Sequence, residues 1–314
     1  MKLRSSMAGV ALAAALGVAV AGCGQVNQVR AQKAFKDANK LYAASDWRAA
    51  AAKYEEALAL FPENAYSYFF LANSLDNLYR PTRAGEPEND ALLTKAIDNY
   101  KLAAENIQDP LWKRRSLEFL VAAYGPDKLN DPTQAEPIVK QMIDLDPADP
   151  ANYFQLASIY ENSGEYELAE QTFMKAKEAK PNDPNVYMQL AGYYNRQGDF
   201  PKTIEALGQR VALEPNNPEA HYTVSTYYWD KAYRDFRLKD AEKLDMVLKG
   251  IESVDKAIAI KDDYMEAIAY KNLLLRLQAN LIRDPGRQQA LIREADQLRD
   301  RAEQMRKAKN TSAS

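Results

Sequence analysis

The side chains that most often do chemistry in proteins are scarce in this sequence. His221 and Cys23 are its only histidine and its only cysteine. This leaves no histidine cluster for a metal or for general base catalysis, no intramolecular disulfide and no cysteine-based zinc site. The adjacent acids at 55–56 and 262–263 are typical of solvated helix ends, because glycosidase-type catalysis needs two carboxylates that face each other across a cleft. No nucleophile elbow, zinc-protease motif or glycine-rich phosphate loop occurs. The sequence therefore predicts no catalytic residue, no metal site and no cofactor.

The composition favours a folded, helical chain. The 314 residues are 46% hydrophobic and 27% charged, which is enough apolar material for a core. There are only 12 glycines, and a glycine-poor chain rich in Ala, Leu, Glu and Lys is typical of helices rather than of sandwiches or barrels. The formal net charge is -3, and the basic run at 113–115 is too short to form a nucleic-acid surface, so we expect no nucleic-acid partner.

The first 22 residues have the layout of a secretory signal peptide. Lys2 and Arg4 form a positive n-region, and an apolar stretch of mostly small residues follows at 7–22. This stretch of about 16 residues is short for a membrane span, which needs about 20.

The leader ends in Val20-Ala21-Gly22-Cys23, which resembles the lipobox of bacterial lipoproteins. The resemblance implies cleavage before Cys23 and lipidation of this residue, and its acyl chains would form a stable membrane anchor. Ordinary cleavage that leaves a free thiol and an uncleaved anchor are the alternatives. Gly24 follows the cysteine in place of Asp. By resemblance to the sorting rule of enteric bacteria, this favours the outer membrane, with the chain facing the periplasm.

Prolines set a period in the middle of the chain. Pro147, Pro181 and Pro215 are 34 residues apart, and a second proline follows each of them three residues later. The first proline of each pair stops a helix, and the second starts the next helix at its first position. The residues just before the second prolines are predicted N-caps: Asp149, Asp183 and Asn217.

This period and the residues within it resemble the tetratricopeptide repeat (TPR), a pair of antiparallel helices. Residues 150–183 match the family pattern at eight positions: Tyr153, Leu156, Ala157, Tyr160, Gly164, Ala169, Phe173 and Pro181. Small residues allow the two helices to cross closely, and large residues fill the space between neighbouring repeats. The resemblance implies an all-α fold, a TPR-type α-solenoid in which about seven helix pairs form a right-handed superhelix.

We expect the solenoid to occupy residues 31–309, after a short tether at 23–30. The expected units are 31–64, 65–108, 114–149, 150–183, 184–217, 218–263 and 264–309. An insertion rich in Pro, Gly and charge interrupts the second unit at 80–89, and a surface loop or a docking loop would both fit it. An amphipathic helix at 287–309 closes the array, and a disordered tail follows at 310–314.

The resemblance also implies a partner-binding groove. In the family the first helix of each unit lines the concave surface, with its fifth, ninth, twelfth and thirteenth residues facing the groove. The fifth residues are large and apolar, the types that carry interface energy: Phe69, Phe154, Met188 and Tyr222. Further candidates at the other positions are Asn73, Ser158, Glu161, Asn195, Arg196, Thr226 and Trp229. Packing of these side chains against the adjacent helix is the alternative.

The expected function is that of a lipid-anchored scaffold or adaptor in the bacterial cell envelope, which binds a peptide segment or a partner helix in its groove. Its expected partners are envelope proteins, and the membrane through the anchor. One alternative is a component of the machinery that assembles outer-membrane proteins or pili, because TPR lipoproteins of those systems carry similar repeats behind a lipobox. An envelope enzyme is the second alternative, which the missing catalytic motifs disfavour.

Overall fold

The computed structural model describes the backbone of residues 8–312 and the side chains of residues 25–309. Within residues 8–312 the chain forms fourteen α-helices and one 3₁₀ turn, and no strand. The expected all-α fold is therefore confirmed. The leader and Cys23 lie outside the residues whose side chains are described. Among the described residues, no helix has the length and apolar character needed to cross a membrane.

The helices fall into two compact units. The first unit comprises the described residues up to Pro147 together with Ser158–Gly164, and the second comprises Ala148–Ala157 and the described residues from Glu165 onward. Helix α7 (Pro150–Asn162) is therefore divided between them.

Six helices form the body of the first unit, and each packs against the next one in the chain. They are α1 (Ala8–Ala43), α2 (Trp47–Leu60), α3 (Ala65–Leu78), α4 (Pro87–Asn106), α5 (Pro110–Tyr124) and α6 (Pro132–Leu145). Fully buried alanines such as Ala50, Ala72 and Ala96 let these helices approach closely, and the buried rings of Tyr54 and Tyr100 fill the space between them.

Seven helices form the body of the second unit, and consecutive members again pack against each other. They are α8 (Tyr166–Ala179), α9 (Pro184–Arg196), α10 (Phe200–Leu213), α11 (Pro218–Arg234), α12 (Asp240–Ile260), α13 (Met265–Leu281) and α14 (Pro285–Ser312). Helix α11 also contacts α13. The core between these last helices is built on small and branched residues, among them Ala232, Val247, Val254 and Leu274.

The predicted helix starts are confirmed at all three proline pairs. The side chains of Asp149, Asp183 and Asn217 each accept a hydrogen bond from the backbone N–H two residues on, at 3.0, 2.9 and 3.0 Å. These N-caps satisfy donors that the first helical turn leaves without a backbone partner.

The fourth residue of a unit contacts the carbonyl of the first proline in the preceding proline pair. The Tyr187 hydroxyl donates to the carbonyl of Pro181 at 2.8 Å, and His221 Nε2 contacts the carbonyl of Pro215 at 2.9 Å. Because a carbonyl oxygen only accepts, Nε2 carries the proton in this contact. His221 is buried and so has a structural role in the turn.

Two turns between helices need glycine. Gly164 and Gly198 have φ angles of +78° and +76°, a left-handed conformation that costs other residues about 1 kcal/mol or more. Ser45 occupies the equivalent place in the first predicted unit, with φ of +59°.

Two predicted boundaries are corrected. The insertion predicted at 80–89 is a 3₁₀ turn at Pro81–Arg83, and α4 already begins at Pro87. The last helix reaches Ser312, so the tail predicted from 310 overlaps its end and otherwise lies outside the described residues.

Candidate partner-binding surfaces

Phe69 lies in the core of the first unit, and its expected place on a solvent-facing surface is wrong. Only 3% of the residue is exposed. Its ring meets the rings of Trp112 and Phe119 of α5 edge to face, at centroid distances of 5.0 and 5.6 Å. Tyr100 of α4 lies at 5.9 Å. Because aromatic rings prefer this geometry, Phe69 stabilises the packing of α3 and leaves no surface for a partner.

Asn73 is also buried, and its side chain is used in internal hydrogen bonds. Its Oδ1 accepts from the Tyr42 hydroxyl at 2.7 Å and from Asn77 at 3.0 Å. Its Nδ2 donates to the Tyr100 hydroxyl at 3.1 Å. A buried amide with these partners specifies how α1, α3 and α4 pack, so the prediction that Asn73 faces a groove is wrong as well.

Tyr100 connects Asn73 to an ion pair in the same unit. The Tyr100 hydroxyl donates to Asp76 Oδ2 at 3.4 Å, and Lys128 pairs with Oδ1 of the same carboxylate. Burial, followed by the Asp76 charge, raises the pKa of Tyr100 above its usual range. The hydroxyl therefore keeps its proton and remains a donor.

Phe154 and Met188 are half-buried in the second unit. The Phe154 ring lies 6.1 Å from that of Phe173. Met188 Sδ accepts from Arg210 Nη1 at 3.4 Å, and Arg210 is itself buried. Both predicted residues pack on one side within their unit and remain partly accessible on the other, so they stay candidates for partner contact.

Four further polar residues of the predicted groove are divided between the two units. Ser158 and Glu161 fall in the first unit, and Asn195 and Arg196 fall in the second. Glu161 is half-buried and the other three are exposed. Their role in binding stays a prediction.

Aromatic rings of α11 and of the start of α13 form a continuous surface in the second unit. Tyr222 contacts Tyr264 and Tyr270 at centroid distances of 5.4 and 5.5 Å. Trp229 contacts Tyr270 at 5.7 Å and stacks on Tyr233 at 4.7 Å, with ring planes 10° apart. We call these five residues, Tyr222, Trp229, Tyr233, Tyr264 and Tyr270, the aromatic patch.

The aromatic patch faces the core on one side and solvent on the other. Four of its rings pack against buried residues of α11–α13 and remain partly exposed, while Tyr233 is 62% exposed. Burial raises the pKa values of Tyr222, Tyr264 and Tyr270, so their hydroxyls stay neutral donors and acceptors at neutral pH. Rings held in this way provide a large contact area at a low cost in side-chain entropy.

A shallow pocket of about 360 Å³ lies where α11 ends, next to Tyr233 in the chain. Its lining residues are Asp230, Lys231, Arg234, Asp235, Phe236 and Arg237. Arg237 donates two hydrogen bonds of 2.8 Å to Asp235, and these bonds, with a further one from Lys231, lower the pKa of Asp235. Phe236 is 88% exposed. An exposed apolar ring therefore stands beside ionised groups at the end of the aromatic patch.

The sequence pattern identifies only part of the aromatic patch. It singles out Tyr222, Thr226 and Trp229 as groove residues and omits Tyr233, although the spacing 222, 226, 229, 233 places all four on one helix face. Thr226 is half-buried, and its hydroxyl donates to the Thr223 carbonyl at 2.7 Å. Tyr264 and Tyr270 belong to the degenerate last helix pair, where the repeat pattern gives no alignment.

Among residues 25–309, no group of three or more His, Cys, Asp or Glu side chains is placed to hold a metal ion.

Two family models, both described as tetratricopeptide repeat, match residues 35–101 and 128–191. The crystal structure of the C-terminal part of a TPR repeat-containing protein from Cytophaga hutchinsonii is 16% identical and has a TM-score of 0.57, covering 84% of this chain and 95% of that chain. This likeness supports the TPR fold.

Two further solved structures have lower TM-scores. YrrB, titled as a TPR protein with an unusual peptide-binding site, is 19% identical with a TM-score of 0.41, covering 60% of this chain and 89% of its own. MamA protein is 16% identical with a TM-score of 0.45, covering 67% and 97%. No curated protein matches the sequence.

Proposed function

We propose that this tetratricopeptide repeat protein, an all-α solenoid, is a lipid-anchored scaffold of the bacterial cell envelope that binds a segment of a partner protein on its aromatic patch. The repeats themselves support a protein-interaction scaffold. The anchor, the envelope location and the binding surface are the proposed additions.

The aromatic patch is the observation that carries the binding proposal. Tyr and Trp are enriched among residues that dominate interface energies, and they do so where they are partly desolvated and rigid. Tyr222, Trp229 and Tyr270 meet these conditions, because each is held by ring contacts and packs on the core. The paired charges of Asp230 and Arg234, 2.6 Å apart, form a polar rim. A peptide or helix with large apolar side chains fits such a surface.

The proposal of an anchor comes from the leader. Cys23 follows an apolar leader and is the only cysteine. The two or three acyl chains of a bacterial lipoprotein would hold the chain at a membrane, since one chain alone gives only marginal binding. Residue 24, the one after Cys23, is Gly and not Asp. This supports an anchor in the outer membrane, with the chain facing the periplasm.

Recovery of partners from detergent-solubilised envelope tests the binding surface. We expect Tyr233→Ala to lower the recovery of a specific partner about tenfold, because an exposed ring that a partner covers contributes about 1–2 kcal/mol. Tyr166→Ala is the matched control: it removes another exposed tyrosine of the second unit, outside the aromatic patch.

The two variants also separate binding from folding. Tyr233 is mostly exposed and stacks on the ring of Trp229, so its loss should leave the thermal unfolding midpoint nearly unchanged. Equal partner recovery by both variants would move the binding site away from the aromatic patch.

Cell fractionation tests the anchor. We expect the wild-type chain in the membrane fraction with acyl groups on Cys23, detected by mass spectrometry of the N-terminal peptide. Cys23→Ser removes the sulfur that carries the lipid and is expected to abolish acylation. Wild-type chain that is cleaved before Cys23 but carries a free thiol would rule the anchor out.

A further inference from the structure

The solvent-facing side of α1 carries a row of cations. Arg30, Lys33, Lys36 and Lys40 recur at helical spacing and are all exposed. The opposite side of the helix is buried through Ala31, Ala34 and Ala38, and α1 packs there against α2. We call these four cations the basic face of α1.

Most of this positive charge is not compensated. Asp37 is the first acidic residue of the whole chain, and it pairs with Lys40 at 3.1 Å. On α2, which packs against α1, Lys53 pairs with Glu56 at 2.6 Å, and Glu55 offsets the charge of Arg48, so α2 adds no net charge. Among the described residues, no ion pair is formed by the three cations that precede Asp37. The N-terminal helix is therefore positive in a chain whose net charge is -3.

Two exposed valines lie on the same side, closer to the start of the chain. Val26 and Val29 are 58% and 65% exposed. Val26 is four residues before Arg30, and Val29 is four residues before Lys33, so each valine shares a helix face with a cation. Apolar side chains at this end can enter the boundary between headgroups and acyl chains, while the neighbouring cations contact anionic headgroups.

We propose that the basic face of α1, with Val26 and Val29, lies on the headgroups of anionic phospholipid and orients the first unit on the bilayer. This inference rests on the proposed anchor, because it takes the attachment at Cys23 from there. Arg30 lies seven positions after Cys23, and even a fully extended segment of that length spans only about 25 Å. The cations are therefore held within reach of the headgroups, where each contributes favourable electrostatic binding.

Anionic lipid fits this face better than an acidic protein does. The cations follow directly on the segment that carries the proposed anchor, and exposed valines occupy its membrane-proximal end. An acidic protein surface would complement the charges but gives no reason for the two valines at that end.

Headgroup quenching in vesicles tests the inference with the full chain. The acylated protein carrying Val29→Cys is labelled at this thiol with a fluorophore and reconstituted into phosphatidylcholine vesicles with a headgroup-linked quencher. A second set of vesicles also contains about 30% phosphatidylglycerol. We expect quenching at residue 29 to be about twofold stronger in the anionic vesicles, and this difference to disappear at about 1 M salt, where the Debye length falls to about 3 Å.

Charge neutralisation identifies the residues responsible. The triple change Arg30→Gln, Lys33→Gln, Lys36→Gln is expected to abolish the extra quenching, and glutamine keeps the helix propensity of the segment. The matched control changes Lys95, Lys175 and Lys180 to Gln, exposed lysines outside α1, and is expected to retain the extra quenching. Circular dichroism checks that both variants keep their helix content.

The results of these experiments distinguish failure of the basic-face proposal from failure of the proposed lipid anchor. Acylated protein with equal quenching in both vesicle types would overturn the inference and leave the anchor intact. Loss of partner recovery in the triple variant, without a change in quenching, would also overturn it and assign the basic face to an acidic protein. Membrane-bound protein without acylation at Cys23, but with quenching that depends on Arg30, Lys33 and Lys36, would uphold the basic face and overturn the anchor.

Discussion

At the scale of single residues, one hydrogen bond recurs between successive helices. The Tyr160 hydroxyl donates to Glu136 Oε1 at 2.9 Å, and in the second unit the Tyr194 hydroxyl donates to Glu170 Oε1 at 3.0 Å. Lys202 also donates to Glu170, at 2.8 Å. Lys202 first, and then Tyr194, lower the pKa of Glu170 below its usual value, because both stabilise the ionised carboxylate.

This bond predicts a pH-dependent cost for Tyr194→Phe. A carboxylate whose pKa is lowered by folding stabilises the protein above its unfolded pKa, and this contribution is lost as the pH falls through the folded pKa. We expect Tyr194→Phe to lower the free energy of unfolding by about 1 kcal/mol at neutral pH. The cost should shrink at acidic pH, as Glu170 becomes protonated through its lowered pKa. Urea denaturation at neutral and at acidic pH measures it.

Tyr187→Phe is the matched control. Its hydroxyl donates to the carbonyl of Pro181, which does not titrate, so the cost of this change should be the same at both pH values. If the cost depends on pH to the same extent in both variants, the hydrogen bond between Tyr194 and Glu170 is not the cause of that dependence.

At the scale of secondary-structure elements, the segment before α4 is an ordered element. Asn89 is buried, and its Nδ2 donates to the carbonyls of Arg80 and Arg83, each at 3.1 Å. Its Oδ1 accepts from the Arg80 backbone N–H at 2.9 Å. Asp90 accepts from the N–H of Gly85, whose φ of +93° requires a left-handed turn. One amide side chain therefore fixes both ends of the 3₁₀ turn.

Removing that amide should loosen the turn. We expect Asn89→Ala to destabilise the protein by about 1–3 kcal/mol, because it leaves buried backbone groups without partners. Hydrogen exchange of residues 80–86 should become faster, while α5 keeps its protection. Asn99→Ala is the control, since Asn99 lies on the same helix and donates to the Lys95 carbonyl in an exposed place. Equal exchange in the two variants would contradict this role of Asn89.

Short sequence patterns predicted where helices begin. They predicted less well which side chains are buried. The proline pairs and their caps act within a few residues, so they fix where α7, α9 and α11 begin. The burial of Phe69 depends on Trp112, which has no counterpart in the repeat pattern and arrives from another helix. Thr203 lies one period after Ala169, where the repeat has a small residue. It fits there because its hydroxyl donates to the Asp199 carbonyl at 2.8 Å. Such tertiary contacts cannot be inferred from the period alone.

At the scale of the whole molecule, the two ends of the sequence carry different chemistry. The cations of α1 precede the first acid of the chain and lie close to the proposed anchor. The aromatic patch belongs to α11 and α13, far along the sequence in the second unit. The proposed membrane-contacting face and the proposed partner-binding surface thus belong to separate compact units.

The central claim is that the aromatic patch contacts a partner protein. Site-specific photo-crosslinking in intact cells tests it most directly, with the photoreactive amino acid p-benzoylphenylalanine in place of Tyr233 or, as the control, of Tyr166. We predict a discrete crosslinked species from residue 233 that is absent from residue 166 and is lost when Trp229 and Tyr270 are also changed to Ala in a chain that stays folded. Identical crosslinks from both positions, or none from 233 with crosslinks from 166, would contradict the claim.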